Sequence, residues 1–378
     1  GQTITVTYDV TIKNTGSGLS SDTQQFTIVI TGTNDLPTIT GASILATVPA
    51  GANLPTVNVD ANYVGHAGFT ESVNASGQPV SGISDTATGI IHFADPDVLN
   101  LHTVSVINGP LDSSGNLQSG YVTYTNTSNT GFTPENITAA SNTLLKPALE
   151  SAIKSALAGA FTTTTTPSVD STVTNTGGNG DGQIAWQFSA ADNKFAFLSA
   201  GEKLDLVYTI QVDDGHGGTA SKDVTITIIG SNDKPLITGG SISNTEAGNS
   251  TSHSIDPVSN VTNVGFTEVV DPNTTITDQA QGHITFSDVD LTNTHSAKID
   301  ANPFKLVDSN GADITDSVPS AAATQLQTLL SNAGKLDSTQ SLDSTGVGTG
   351  TVAWNFNAPD KSFAFLANGD KLLSLIHI

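Results

Sequence analysis

The chain has no cysteine, no methionine and no arginine among its 378 residues. The lack of cysteine excludes disulfides, thiolate metal sites and a cysteine nucleophile. With no methionine, the sequence opens in mid-pattern at Gly1, and the expectation is a fragment or a processed piece. All twelve basic residues are lysine, set against 35 Asp and Glu, for a formal net charge of −23. Such a surface repels nucleic acid and anionic membranes, so neither is an expected partner. No apolar run approaches the roughly 20 residues that cross a bilayer, and no charged–apolar–small leader is visible. No membrane insertion is expected of these residues.

Aspartate is abundant: 29 of the acids are Asp and only 6 are Glu. Short carboxylates hold loop geometry and suit hard, oxygen-seeking ions such as Ca²⁺. Solubility alone is the competing reading of any single one.

Internal repetition organises the rest. "FTIVITGTNDLPTIT" (Phe26–Thr40) returns as "VTITIIGSNDKPLIT" (Val224–Thr238), which sets Asp35 and Asp233 198 residues apart. "GFTE" at Gly68–Glu71 returns at Gly265–Glu268. "GIIHFADPDVLNLH" from Gly89 returns as "GHITFSDVDLTNTH" from Gly282. "IAWQFSAADNKFAFLSAGEKL" from Ile184 returns as "VAWNFNAPDKSFAFLANGDKL" from Val352, an interval of only 168, so the second copy has the shorter middle. Several matched blocks in one order define a tandem repeat. The chain divides into a tail of one unit (1–37), a complete unit (38–235) and a unit that breaks off early (236–378). Where the complete copy continues "KLDLVYTIQVDDGHGG", the chain reads "KLLSLIHI". The expectation is that these last residues are an adapter-derived sequence replacing a closing strand and hairpin, leaving a sheet edge open to association.

Within each unit the period is mostly two. "KLDLVYTIQV" alternates through Leu204, Leu206, Tyr208, Ile210 and Val212, and "DDGHGG" is a hairpin turn in which Asp213 and Asp214 are read as turn formers. Trp186, Phe188, Phe195 and Phe197 are assigned to the core rather than to a ligand platform. Each middle carries one helical run: "LLKPALESAIKSALAGAF", with Leu145, Leu149, Ile153 and Leu157 four apart, and "VPSAAATQLQTLLSNAG", with Gly334 as its stop. The run Thr162–Thr166 is a loop or an exposed edge, and "GGNGDG" at Gly177–Gly182 is a loop.

The blocks "GHITFSDVD", "FAFLANGDKL", "LVYTIQVDDGHGGTASKDVTITIIGSNDKP" and the closing Asn-Asp-x-Pro resemble the VCBS repeat, a cadherin-like module of large secreted bacterial adhesins of the RTX type. The resemblance covers most of both copies. It implies a mainly β fold of tandem cadherin-like (Ig-like) β-sandwich modules, each here with one short helical insertion. It further implies Ca²⁺ at the junctions, an extender role in adhesion, and a bacterial cell-surface or extracellular location. The partners would be neighbouring repeats of the same chain and a surface ligand bound elsewhere in the protein. The first tail departs from the pattern, with "IKNTGSGLSSD" in place of "VDDGHGGTASKD", so the hairpin turn carries no expected metal role.

The chemistry of the repeated blocks agrees with a linker site. In each Asn-Asp-x-Pro, glycine lets the chain leave the sheet, proline stops ladder pairing, and Asn and Asp offer oxygens. "DPD" and "DVD" supply carboxylates two apart, which a turning loop can converge on one ion. In the cadherin-like arrangement that the resemblance implies, Asn34, Asp35, Asp95 and Asp97 would serve the first junction, and Asn232, Asp233, Asp288 and Asp290 the second. Glu71 and Glu268 are added candidates. The alternative for each Asp-x-Asp is a solvated strand end. His102 and His295 recur singly and are read as hydrogen-bonded structural groups. With no His-Glu-x-x-His, Gly-x-Ser-x-Gly or phosphate loop, catalysis is not expected. Two rival readings stand: a glycan- or protein-binding module, and an accessory domain of an extracellular polysaccharide-acting enzyme.

Overall fold

The computed structural model describes residues 1–16, 20–46, 66–98, 100–126, 129–132, 145–164, 181–244, 277–298, 300–301, 304–373 and 376–377. The chain begins with a hairpin of β1 (Thr3–Lys13) and β2 (Ser21–Thr31). Its antiparallel register sets Ile4 opposite Ile30, Val6 opposite Ile28, and Tyr8 opposite Phe26, whose rings stack at 5.1 Å.

Two sheets follow. The first has the order β3 (Thr38–Ala46), β5 (Ser84–Ala94), β10 (Asp181–Ala191), β9 (Phe161–Thr164). The second has the order β4 (His66–Thr70), β12 (Thr219–Ile229), β11 (Lys203–Asp213), β7 (Val122–Asn126), β8 (Asn129–Phe132), with β6 (Thr103–Asn108) also on β11. β4 lies parallel to β12, and the other pairs are antiparallel. Strict alternation on β5 and β10 turns Ile91, Phe93, Ile184, Trp186 and Phe188 to one side. They meet Leu204, Leu206, Val224, Ile226 and Phe69 of the second sheet in a single core. That arrangement is a β-sandwich, as two sheets with one apolar face each must form. Phe195 and Phe197 join the same core, as assigned from the sequence.

The repeated glycines have a packing reason. A Cβ on Gly89 would overlap the Trp186 indole, and one on Gly182 would overlap the Phe93 ring. In the next unit Gly282 stands against Trp354 and Gly350 against Phe286 in the same way. Each large ring lies across the neighbouring strand where only glycine leaves room.

Helix α1 (Leu145–Leu157) lays Leu149, Ile153 and Leu157 into the core, and its Pro147 sits in the first turn, where no intrahelical donor is lost. The threonine run begins in edge strand β9, while residues 165–180, including most of "GGNGDG", lie outside the described residues.

The last unit repeats the first sheet: β13 (Leu236–Asn244), β14 (Thr277–Ser287), β18 (Thr349–Pro359), β17 (Gly334–Leu342). Among the described residues, two short pairings accompany it, β15 (Asp300–Ala301) with β20 (Ile376–His377) and β16 (Lys305–Val307) with β19 (Lys371–Leu373). Helix α2 (Ser320–Ala333) closes on a small core of Phe304, Leu326, Leu330, Ala358 and Phe363, and Gly334 caps it.

Candidate metal centre

The second linker starts where β12 ends. Gly230 N–H donates to the Glu202 carbonyl at 2.9 Å, and any Cβ at Gly230 would overlap the Leu198 carbonyl. Close backbone approach, not only a free exit from the sheet, therefore requires the glycine. Beyond it the linker is held on both sides. The Lys234 N–H donates to the Gly77 carbonyl (2.6 Å), Gln78 Nε2 donates to the Lys234 carbonyl (2.6 Å), and Ser231 Oγ donates to the Glu71 carbonyl (2.6 Å). From the other unit, Asp290 Oδ2 accepts from the Asp233 N–H at 3.0 Å.

The Asp-x-Asp is a turn whose first carboxylate is occupied by the protein. Asp288 Oδ1 accepts from the Asp290 N–H (3.0 Å), and its Oδ2 pairs with His295 Nε2 at 2.7 Å. The His295 ring rests on Phe286, with centroids 4.8 Å apart, and its Nδ1 meets Asp343 Oδ1 at 2.7 Å. Burial opposes charge on this imidazole, but hydrogen bonds to Asp343 and Asp288 override it and raise its pKa. The second carboxylate is more open. Asp290 Oδ2 also accepts from Asn293 Nδ2 (2.8 Å), whereas its Oδ1 has no partner.

The first linker reproduces this pattern. Asp35 N–H donates to Asp97 Oδ2 (2.7 Å), Asp97 N–H to Asp95 Oδ1 (2.8 Å), and His102 Nε2 meets Asp95 Oδ2 at 2.9 Å over the Phe93 ring. Asn100 Nδ2 reaches Asn34 Oδ1 at 3.3 Å, as Asn293 reaches Asn232 at 3.4 Å. Asn34 Nδ2 donates to Asp214 Oδ2 at 2.9 Å, and Asp214 Oδ1 accepts the turn N–H groups of His216 and Gly218. Asp214 is thus a turn former, as expected, and also a brace for the linker.

Charge is concentrated at the second junction. Asp233, Asp288 and Asp290 are at most 2% exposed, and Glu71 joins them from the end of β4. Both oxygens of Glu71 and both of Asp233 lack a hydrogen-bond partner. Burial, then the charges of Asp233 and Asp192, push Glu71 up to about 8. Burial, followed by Asp288 and Asp192, pushes Asp233 to about 7. Burial also takes Asp290 to about 8, with Asp288, Asp233 and Glu202 adding to it against the Asp233 N–H. Orphaned buried carboxylates are costly alone and fit a hard, oxygen-coordinated cation. Among the described residues, however, no three His, Asp or Glu side chains already stand as a ligand set around one point.

The sequence-assigned residues that the structure describes therefore fall into three classes. Asp95 and Asp288 shape the turn, while Asp97, Asp290, Asp233 and Glu71 carry the available oxygens. Asn34, Asp35 and Asn232 are exposed linker residues. Glu268 lies outside the described residues. Sequence reasoning missed Asn100, Asn293, Asp192, Glu202 and the Asp214 brace. The first two were visible in the matched "NLH" and "NTH", and Asp192 and Glu202 have matched acids at Asp360 and Asp370.

No family model matches the chain, and no curated protein matches it. Among solved structures, the cadherin-like domains 1 to 4 of zebrafish RET align over 95% of this chain at 11% identity and a TM-score of 0.20. A chaperone–tip adhesin complex of CFA/I fimbriae aligns over 53% at 13% identity and a TM-score of 0.20. The C-terminal domain of the Streptococcus agalactiae AgI/II polypeptide BspA aligns over 81% at 9% identity and a TM-score of 0.15. The chain spans 52% and 57% of the first two and 90% of the third. The sandwich assignment stands on the chain's own sheets and core.

Proposed function

We propose that this chain is a run of spacer modules from a large secreted bacterial surface adhesin, stiffened by Ca²⁺ at the linkers. The observation that carries the reading is the pairing of two linkers of one design, each pinned to the Asp-x-Asp of the unit that follows. At the second, Glu71 and Asp233 on one side and Asp290 on the other are buried, with both oxygens of the first two and Oδ1 of the third lacking a hydrogen-bond partner. A cation there supplies one thing, charge that reverses the repulsion between the two sides. The protein supplies the rest: His295 and the Asp290 N–H orient Asp288, the Asp290 carboxylate holds the Asp233 N–H, and Gly77 and Gln78 hold Lys234.

Trp186 is 2% exposed, which removes it from any ligand platform. The linker geometry serves orientation between units, and turnover is not part of this reading.

The test is calcium titration of the whole chain, read by melting temperature and small-angle scattering. A site of about 10⁻⁴ M at about 10 mM calcium stabilises the folded state by about 2.7 kcal/mol. Calcium is expected to raise the melting temperature and narrow the scattering profile, with magnesium doing much less. Asp288→Ala combined with Asp290→Ala should remove most of the response. A double variant that responds like the parent makes the Asp-x-Asp a turn and nothing more.

A further inference from the structure

The turn between β10 and β11 receives side chains from the following unit, and these contacts use none of the linker carboxylates. Leu291, directly after the second Asp-x-Asp, packs against the core of the preceding sandwich, and its N–H donates to the Phe197 carbonyl at 3.3 Å. Thr292 Oγ1 donates to Glu202 Oε1 at 2.6 Å, and the Ser199 and Thr292 hydroxyl oxygens lie 2.7 Å apart. A hydroxyl has one proton to give, and Thr292 gives its own to the carboxylate, so Ser199 donates to Thr292. The bonds therefore run from Ser199 through Thr292 to Glu202. Glu202 is only 3% exposed, and its Oε2 accepts from the Ser199 N–H at 2.9 Å within the turn. Buried Tyr124 interacts with both Glu202 and Thr292.

The loop that brings Leu291 and Thr292 is held by its own unit. Gly346 N–H donates to the Leu291 carbonyl at 2.7 Å, and Thr345 Oγ1 to the Asn293 carbonyl at 2.6 Å. The two side chains are thus presented ready-placed to the neighbour. Between copies, one part of this contact is constant and another varies. Asp370 Oδ2 accepts from the Ala367 N–H at 3.3 Å, as Glu202 does from Ser199, so the bond within the turn recurs. The groups that meet the neighbour differ: Ala367 stands in place of Ser199, and "DPDVLNLH" places Val98 and Leu99 where "DVDLTNTH" has Leu291 and Thr292. A leucine facing Glu202 would take the Thr292 donor from a buried carboxylate, which costs far more than the bond itself gains.

We propose that the Phe197–Glu202 turn is a socket that selects the unit docked on it, without metal: it accepts a unit whose Asp-x-Asp is followed by an apolar residue and then a hydroxyl. Leu291 supplies the apolar anchor and Thr292 the selective contact. The leucine pair of copies thereby carries an order: the unit beginning at 236 fits this socket, and a unit with Leu99 in the place of Thr292 does not. The inference rests on the reading of the chain as spacer modules and adds to it a choice of neighbour that is independent of calcium.

The experiment follows hydrogen–deuterium exchange of residues 196–203 and 288–294 in the whole chain, in chelator, with small-angle scattering as a second measure. Thr292→Val keeps the shape and removes the hydroxyl. It should speed exchange of both segments on the order of tenfold and broaden the scattering profile. Thr292→Ser should behave like the parent, and Thr292→Leu should open the contact at least as far as Thr292→Val. In a Glu202→Ala background, Thr292→Val should change exchange less than about twofold, because the carboxylate it served is gone. Parent-like exchange in Thr292→Val overturns the proposal, and so does an equal effect with and without Glu202. If Glu202→Ala does not fold, Ser199→Ala replaces it: exchange should quicken in the same segments, and parent-like exchange overturns the proposal. Calcium is absent from every arm, so failure here leaves the calcium reading standing, and a failed calcium titration leaves the socket standing.

Discussion

The two linkers have the same sequence pattern and the same hydrogen bonds to the unit that follows, yet they differ in burial. Asp35 is exposed, whereas its counterpart Asp233 is 1% exposed. The difference comes from the preceding unit. The second linker is covered by Glu71, by the Gly77–Gln78 turn and by the loop at Leu198, and within the sequence given the first linker follows only the β1–β2 hairpin. That hairpin matches β11–β12 in register, with Tyr8–Phe26 standing where Tyr208–Val224 stand. Its inward residues show the same contrast: Tyr8 is 48% exposed and Tyr208 is 6%. Half of each junction is thus written into the linker and its Asp-x-Asp, and half into the closing end of the unit before it.

The largest effect that would break this comparison is expected at the linker glycines. At Gly230 a methyl group would overlap the Leu198 backbone, which cannot swing aside, whereas at Gly32 its nearest contact is an ordinary 3.5 Å. Gly230→Ala should cost on the order of 2–4 kcal/mol and Gly32→Ala within about 0.5 kcal/mol, read by denaturant unfolding. Equal costs would show that the glycine serves only turn conformation.

Next is pH without metal. Glu71, Asp233 and Asp290 are raised to between about 7 and 8 in the folded chain, above their values in the unfolded one. The folded state then binds more protons than the unfolded state between about pH 4 and pH 8. The stability they contribute is full below about pH 4 and is lost as pH rises through about 7 to 8. In chelator the melting temperature should fall between about pH 5 and pH 8.5 by several degrees, and calcium should cancel the fall. A flat profile in chelator would mean that water or flexing relieves the second junction as freely as the first.

A smaller effect belongs to the turn that grips the second linker. Gln78→Ala removes the side-chain bond to the Lys234 carbonyl and should cost about 0.5–1.5 kcal/mol. It should also broaden the calcium-free scattering profile, because part of the angle between units is held without metal.

The smallest effect separates the two histidines. His295 is braced by Asp343 as well as Asp288, so Asp343→Asn should lower its pKa in an NMR titration and leave His102 unmoved. Movement of both would place the cause in the general field of the chain.

How far the sequence could be read depended on the range of the interaction. The period of two on β5 and β10, the four-residue spacing of Leu149 and Ile153, and the core assignment of Trp186 follow from local pattern, because burial on a pleated or helical face recurs at fixed intervals. The recurrence of Asp-x-Asp ahead of a histidine was visible, but not that the histidine occupies the first aspartate. That pairing closes seven residues through a turn whose shape the residue letters do not state.

By itself, the sequence determined the tandem architecture, the strand faces, the two helices and the acids that return in each copy, since all are periodic or local. Tertiary structure alone decided which acids have free oxygens and which side of each linker is covered. It also decided that Asp85 meets Asp192, and that Asn34 is braced by Asp214, 180 positions later in the chain. Contacts of this kind join positions whose separation follows no period. They form only when both sheets have closed on their core, so desolvation and the loss of hydrogen-bond partners at these acids are properties of the folded chain and not of any stretch of it.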